Sequence, residues 1–302
     1  MLHLRVICPG EVTERAMALL AEDPGTTHLT LDRGAAVEPR GDLIQADVAR
    51  ASANEMLAAL RALGVDRSGS ITFVPTGTVL SAAGERARAG APGRPDQVVV
   101  WEQLLSQVRE GSRLTPTFLA FLSIAFLLSA VGVTTASPIT LVGAMVVGPE
   151  FRPLAALSVG LVRHDRRLVR RSLATLAISF PAAMAITALS TLLWIRLGWL
   201  GNGDVANARG FDFIYEVGPF SLVVALLAGA AGMLAMVTSS SAVLVGVFIS
   251  VTTVPAAGLA VVASIAGKWH VAASSLGQLA VNLIGIVLAG VIVLLLRPRA
   301  AG

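Results

Sequence analysis

Cysteine is almost missing from this chain, and charge is scarce. Cys8 is the single cysteine among 302 residues, so no intramolecular disulfide can form and no cysteine cage for a metal is available. Only 14% of the residues are charged, against about 25% in a soluble globular domain. Water alone would not solvate such a chain. Residues 1–8 alternate polar and apolar types instead of forming the apolar core of a leader, so no cleaved signal is expected there. Catalytic motifs are missing too: there is no Walker loop, dinucleotide fingerprint or nucleophile elbow. His3, His28, His164 and His270 are scattered without metal-ligand spacing. The expectation is a protein that is not an enzyme and uses no cofactor.

What the chain does have is apolar residues, 55% of the total. After Pro116 they fall in long uninterrupted runs, whereas the first 115 residues alternate in the ordinary way. Two differently solvated parts follow. The net charge of +4 lies largely beside the apolar runs, where basic residues set orientation, so the partner expected is a lipid bilayer and not a nucleic acid.

In the first part, Leu2, Leu4 and Val6 alternate with His3, Arg5 and Ile7 as in a half-buried strand. A helix with Thr13 as N-cap and Ala16, Met17 and Leu20 on one face ends at Pro24-Gly25. Residues 26–31 and 42–48 form a hairpin around a turn-rich stretch, and Ser52 to Glu55 fits a capping box before a stripe of Met56, Leu57, Leu60 and Leu63. Gly64 stops that helix, and Ile71 and Phe73 begin a last strand. The order βαββαβ is ferredoxin-like and resembles, in topology alone, the small regulatory domains of the ACT type. Such a domain, residues 1–75, either senses a ligand or serves for docking and oligomerisation. Residues 76–115 read as a linker followed by an amphipathic helix carrying Val98, Trp101, Leu104, Leu105 and Val108. That helix lies in the membrane interface or packs on the soluble domain.

In the second part, six apolar stretches at 116–136, 138–162, 172–196, 219–237, 241–266 and 275–296 are long enough to cross a hydrocarbon layer of roughly 30 Å. Arg163, Arg166, Arg167, Arg170 and Arg171 between the second and third place that loop in the cytoplasm of a multi-pass inner-membrane protein. Residues 1–115 and the tail 297–302 then lie inside, and the loop at 201–218 lies outside. Pro116 and Pro219, Leu141-Val142-Gly143 and Leu244-Val245-Gly246, and Ser172-Leu173 and Ser275-Leu276 are each separated by 103 residues. Three spans in each half make this an inverted repeat, residues 116–200 against 219–296.

The middle span of each half is broken, by Gly148-Pro149-Glu150-Phe151-Arg152-Pro153 in one and by Val251 to Pro255 in the other. Proline withholds an amide donor and leaves backbone polar groups that hydrocarbon cannot satisfy. Glu150, Arg152, Thr252 and Thr253 are therefore expected around a polar cavity, with Gln278 and Asn282, one turn apart on the last span, beside them. Two blander readings compete: Glu150 pairs with Arg152 and only holds helices together, or the break is a re-entrant loop at the interface. Gln278 and Asn282 likewise serve either packing or a polar path. Ala225, Ala228, Gly229 and Gly232 in the fourth span and Gly277, Gly285 and Ala289 in the sixth suit close helix packing, and Ser137-Pro138 suits a helix start.

Ser137-Pro138 to Gly148-Pro149, Gly143-Ala144-Met145 within it, and the basic loop after it resemble a prokaryotic membrane family known as an uncharacterised hydrophobic domain of unknown function. The resemblance covers roughly residues 110–296, and the βαββαβ order also fits it. It implies a polytopic helical fold without a substrate, and the Glu150/Arg152 pair departs from its pattern. Two functions follow as expectations. One is a transporter or channel for an unidentified small solute or ion, with a cytoplasmic regulatory domain. The other is a membrane-anchored sensory or scaffold protein, in which the spans anchor it and join copies of the chain.

Overall fold

The computed structural model describes residues 1–76, 80–91, 101–200, 218–238 and 252–296. Several expectations lie outside these residues: the linker at 92–97 and Val98, the loop at 201–217, Leu244-Val245-Gly246, Val251 and the tail. Met1–Gln103 belongs to one compact unit and Leu104–Leu296 forms the other.

The first unit runs β1 (Leu2–Cys8), α1 (Gly10–Glu22), β2 (Thr26–Val37), β3 (Arg40–Val48), α2 (Ala53–Ala62), a short α3 (Val65–Ser68), β4 (Ser70–Pro75) and α4 (Ala82–Gly90). The four strands form one antiparallel sheet in the order β2-β3-β1-β4. Period-two alternation sends Leu4, Val6, Ile44, Ala46 and Val48 into a core with Ala16, Leu20, Met56 and Leu60 from the helices. Four local expectations need correction. Thr13 is not an N-cap: α1 starts at Gly10, and the Thr13 hydroxyl donates instead to Asp42 Oδ2 at 2.7 Å. The capping box does not form, because Ser52 Oγ donates to Asp23 at 3.1 Å and makes no cap bond. Most of the turn-rich stretch is strand, and the hairpin turns at Glu38-Pro39. Residues 82–90, read as linker, form α4, whose N-cap Ser81 accepts from the Gly84 amide. Alanine and arginine, both strong helix formers, outweigh the missing apolar stripe there.

The second unit is helical. After α5 (Trp101–Gly111), which enters it, come α6 (Pro116–Thr134), α7 (Pro138–Val147), α8 (Phe151–Val162), α9 (Arg166–Arg196), α10 (Pro219–Thr238), α11 (Thr253–Ile265) and α12 (Trp269–Leu296). Four of these, α6, α9, α10 and α12, are long and apolar enough to cross a membrane, and α7 with α8 makes a fifth such segment bent by 49°. The described part of the remaining expected span, α11, has 13 residues, about 20 Å at 1.5 Å per residue. Helix starts follow the sequence: Thr115 and Ser137 cap α6 and α7 with proline just inside, and Asp165 accepts from the amides of Arg167 and Leu168.

Burial orders these helices. All of α11 from Thr253 to Ala263 is buried, and α8 nearly so; the four long helices bury half or less of their most apolar windows. Helices that are apolar and covered all round are central, so the two short helices form the core and the long ones face lipid. The 103-residue interval recurs in this burial. Ser172, Thr175, Leu176, Ser179 and Ala183 are buried on α9, and Ser275, Gln278, Leu279, Asn282 and Ile286 at matching places on α12. The ends of α8 and α11 match as well. His164 and Gly267 both have positive φ, 56° and 73°, and the next residues, Asp165 and Lys268, each donate five residues back, to Gly160 and Ala263 at 2.9 Å. This is the bond pattern of a Schellman cap.

Close approach of α10 and α12 depends on glycine. A Cβ on Gly229 would lie 2.6 Å from Ile286 Cα and 2.7 Å from its carbonyl oxygen, backbone that cannot swing away; at Gly143 nothing lies within 4 Å. Gly229→Ala should destabilise the purified protein by about 1–3 kcal/mol, the range for overpacking. Gly143→Ala should leave stability unchanged or raise it by up to about 1 kcal/mol through helix propensity. Thermal unfolding in detergent checks both.

Candidate functional site

Gly148-Pro149-Glu150 separates α7 from α8, and Thr252 precedes α11. Glu150 is the N-cap residue of α8 and Thr252 that of α11, so both side chains sit where short buried helices begin, at the positive end of each helix dipole. The two starts touch. Thr253 Oγ1 donates to Glu150 Oε1 at 2.8 Å, across a sequence separation of 103. Glu150 is 7% exposed and Thr253 fully buried. A charged side chain at this depth would cost about 2.5–3.5 kcal/mol on insertion scales.

A second chain of bonds adjoins it. Gln278 Nε2 donates to Asn282 Oδ1 at 3.2 Å, and Asn282 Nδ2 donates to Thr252 Oγ1 at 3.0 Å. Gln278 and Asn282 are each 2% exposed. Five of the six expected residues are thus joined, directly or through the Thr252-Thr253 peptide. Arg152 is the exception. It is exposed, its Cβ lies 2.8 Å from where a Cβ on Gly111 would be, and no ion pair links it to Glu150 among the described residues. Residues two apart on a helix point to different faces, so the pair that looked natural in sequence cannot close here.

Among the described residues of this unit, the buried side-chain atoms Ser123 Oγ, Ser129 Oγ, Glu150 Oε2, Ser172 Oγ, Ser179 Oγ, Ser275 Oγ and Gln278 Oε1 have no partner. Other helix hydroxyls, such as Ser158, Thr187, Thr191 and Ser264, donate to the carbonyl one turn back. One pair of these oxygens, on Ser172 and Ser275, corresponds at the 103-residue interval. An unpartnered buried polar group costs about 1–3 kcal/mol. Sequence reasoning marked Ser172 and Ser275 as repeat partners but assigned no site role to them or to Ser123, Ser129 and Ser179.

It also missed a cluster in the first unit. His3 and Asp47 are register partners on β1 and β3. His3 Nδ1 lies 3.0 Å from Asp47 Oδ1, His28 Nδ1 lies 2.8 Å from Asp47 Oδ2, and His28 Nε2 lies 2.8 Å from Ser81 Oγ. A carboxylate only accepts, so each Nδ1 is the donor. Burial works against the charged Asp47, but the bonds from His28 and His3 outweigh it and hold the carboxyl below the usual aspartate range. Asp47-His28-Ser81 has the order that activates a hydroxyl, yet the Ser81 oxygen is already the N-cap acceptor of α4. The cluster staples α4 to the sheet. The described residues hold no group of three metal-ligating side chains placed for an ion.

Residues 145–288, from the end of α7 into α12 and including all six expected site residues, match a family described as a domain of unknown function, DUF389. An uncharacterized protein of Methanocaldococcus jannaschii is 24% identical over 197 residues, 65% of this chain. The match covers 58% of that relative's length. No solved structure matches the chain. The resemblance seen in the sequence is to a family of this kind.

Two predictions follow from these networks. Asn282→Ala strands both Gln278 and Thr252, whereas Thr252→Val strands only Asn282, so the first should lower the melting temperature more; equal losses would contradict the chain of bonds. For Asp47, a depressed carboxyl contributes stability above the unfolded value near about pH 4 and loses it as pH falls through the folded value. Circular dichroism melts should therefore show the strand signal weakening in acid in the wild type, with Asp47→Asn less stable at neutral pH and less sensitive to acid.

Proposed function

With residues 145–288 matching a family of unknown function, we propose that the second unit is a transporter or channel for a small solute or ion. It is built as an inverted repeat of three plus three spans and carries a ferredoxin-like regulatory domain on its cytoplasmic side. The observation that carries this reading is the Thr253-Glu150 hydrogen bond. The two residues are equivalents under the 103-residue interval, and equivalent residues in direct contact are what a two-fold axis passing between them would produce. The packing supports a two-fold as well: α8 packs on α12 and its counterpart α11 packs on α9, with partners exchanged. A 49° bend leaves α7 and α8 running onward in one general direction, which favours a broken span over a re-entrant loop that must double back. With the three crossings per half that we propose, such an axis would lie in the membrane plane. Paired breaks at a central polar joint are what such transporters use to hold a solute.

Orientation rests on charge. Arg166, Arg167, Arg170 and Arg171 crowd the start of α9, while the equivalent start of α12 is Trp269 and His270; the arginine-rich side is the cytoplasmic one. The βαββαβ order with strand order β2-β3-β1-β4 supports the ferredoxin-like label for the first unit. We place the protein outside the enzymes. A second reading, a membrane-anchored sensor, is favoured by the half-exposed His3-Asp47-His28 cluster, where a ligand could compete for the histidines.

Counterflow of labelled inorganic ions, amino acids and organic acids in proteoliposomes should find at least one solute whose flux Thr252→Val and Asn282→Ala alter together. Failure of every class in protein that remains folded would favour the sensor. In a Cys8→Ala background, a cysteine at Asn207 should react with an impermeant maleimide in intact cells and one at Ser68 should not; the reverse pattern inverts the orientation.

A further inference from the structure

We propose that Glu150 is an exchangeable proton-binding site, so that the solute-moving unit is coupled to protons through the joint between its two broken helices. This deepens the transport reading and rests on it for its physiological meaning. The chemistry itself is argued from the carboxyl alone.

Glu150 is 7% exposed, and its two oxygens differ. Oε1 accepts a hydrogen bond from the Thr253 hydroxyl at 2.8 Å, while Oε2 has no hydrogen-bond partner among the described residues. The side of Oε2 toward α7 is apolar. A Cβ on Gly148 would fall 2.3 Å from Oε2 and 2.8 Å from Val254 Cγ2, so that oxygen and a methyl group share the space over a glycine. Calcium and magnesium take about six or more oxygen ligands, and the hydroxyl that Glu150 touches already points its proton at the carboxylate. A proton needs one free lone pair, and Oε2 has it. Binding transfers a proton from hydronium in water on one side of the membrane to Oε2: one hydronium O–H bond breaks, one carboxyl O–H bond forms and a water is released; unbinding reverses both changes.

Among the described residues of the helices around the joint, no counter-charge competes for this role. Arg152, on Glu150's own helix, is exposed and directed elsewhere. On the elements packed around the two breaks, α6, α7, α10 and α11 contain no charged or titratable residue. On α9 the arginines lie at its two ends, and on α12 the one titratable residue is His270 in its first turn. The neighbours within the joint, Thr252, Thr253, Gln278 and Asn282, are neutral. Proton binding is thus the available way to neutralise Glu150 while α8 and α11 remain in contact, and proton release favours hydration of the joint and its opening. Gly148 and Thr253 act as positioning residues.

Infrared difference spectra of the full chain, purified in an ester-free detergent and titrated with pH, test this directly. The wild type should show the carbonyl stretch of a neutral carboxylic acid that shifts in heavy water and disappears as pH rises, and Glu150→Gln should lack it while keeping a monodisperse elution profile. Thr253→Val removes a bond that favours the ionised form, so the band should persist to higher pH; this variant carries the test if Glu150→Gln fails to fold. A wild type without the band, a band retained in Glu150→Gln, a titration unmoved by Thr253→Val, or loss of the band at constant pH on adding sodium or potassium chloride would each overturn the proposal. The band with no solute flux would leave the proton site standing and sink transport. Flux that continues unchanged in Glu150→Gln would leave transport standing and sink the coupling of that flux to protons through Glu150.

Discussion

One hydrogen bond, from the Thr253 hydroxyl to the Glu150 carboxyl, organises the helical unit. A broken helix inside an apolar assembly exposes amides and carbonyls that hydrocarbon cannot satisfy. The break before α8 is tolerable where it meets the start of α11, because each then supplies polar partners to the other. The rest of the unit follows that constraint. The helices that begin at the joint are buried along nearly their whole length, the four long helices are long and apolar enough to cross a membrane, and a side chain at position 148 would require the Glu150 carboxyl and the Val254 methyl to shift.

Around that joint the two halves share a frame and differ in chemistry. The interval that relates Glu150 to Thr253 also relates Pro149 to Thr252, Thr175 to Gln278 and Ser179 to Asn282. In the second half these residues form a continuous chain, Gln278 to Asn282 to Thr252. In the first, proline cannot accept or donate through its side chain, and Thr175 turns to the Ser112 carbonyl at 2.8 Å. The same positions are buried in both halves, so burial follows the shared frame. The hydrogen bonds do not, and that asymmetry gives the joint an acidic side and a neutral, amide-rich side.

The first unit shows a related economy on a smaller scale. Two carboxylates, Asp42 and Asp47, each tie elements that the sheet alone does not fix. Asp42 accepts from Thr13 on α1 and from the Gly34 amide on β2, and these bonds hold its carboxyl below the usual range. Asp47 gathers His3 and His28, and through His28 the start of α4. His28 has a φ of 51° beside a register shift in β2, an uncommon conformation that turns its ring toward both partners.

Patterns set by solvent and by chain-local chemistry were legible in the residues. Alternation placed Leu4 and Val6 in a core, proline and serine marked the starts of α6 and α7, apolar runs marked the long helices, and a fixed interval exposed the likeness of the halves. Each depends only on neighbours a few residues away or on the medium around a segment. Tertiary structure alone decided which polar groups meet. It paired Glu150 with Thr253 instead of Arg152, because residues two apart on a helix face apart while residues 103 apart can lie side by side. It drew His3 and His28 onto Asp47 through strand register, and it took Thr13 and Ser52 away from the helix ends they could have capped by offering each a carboxylate from a distant segment. A hydrogen bond requires its atoms to be brought within about 3 Å, and that proximity exists only once the chain has folded.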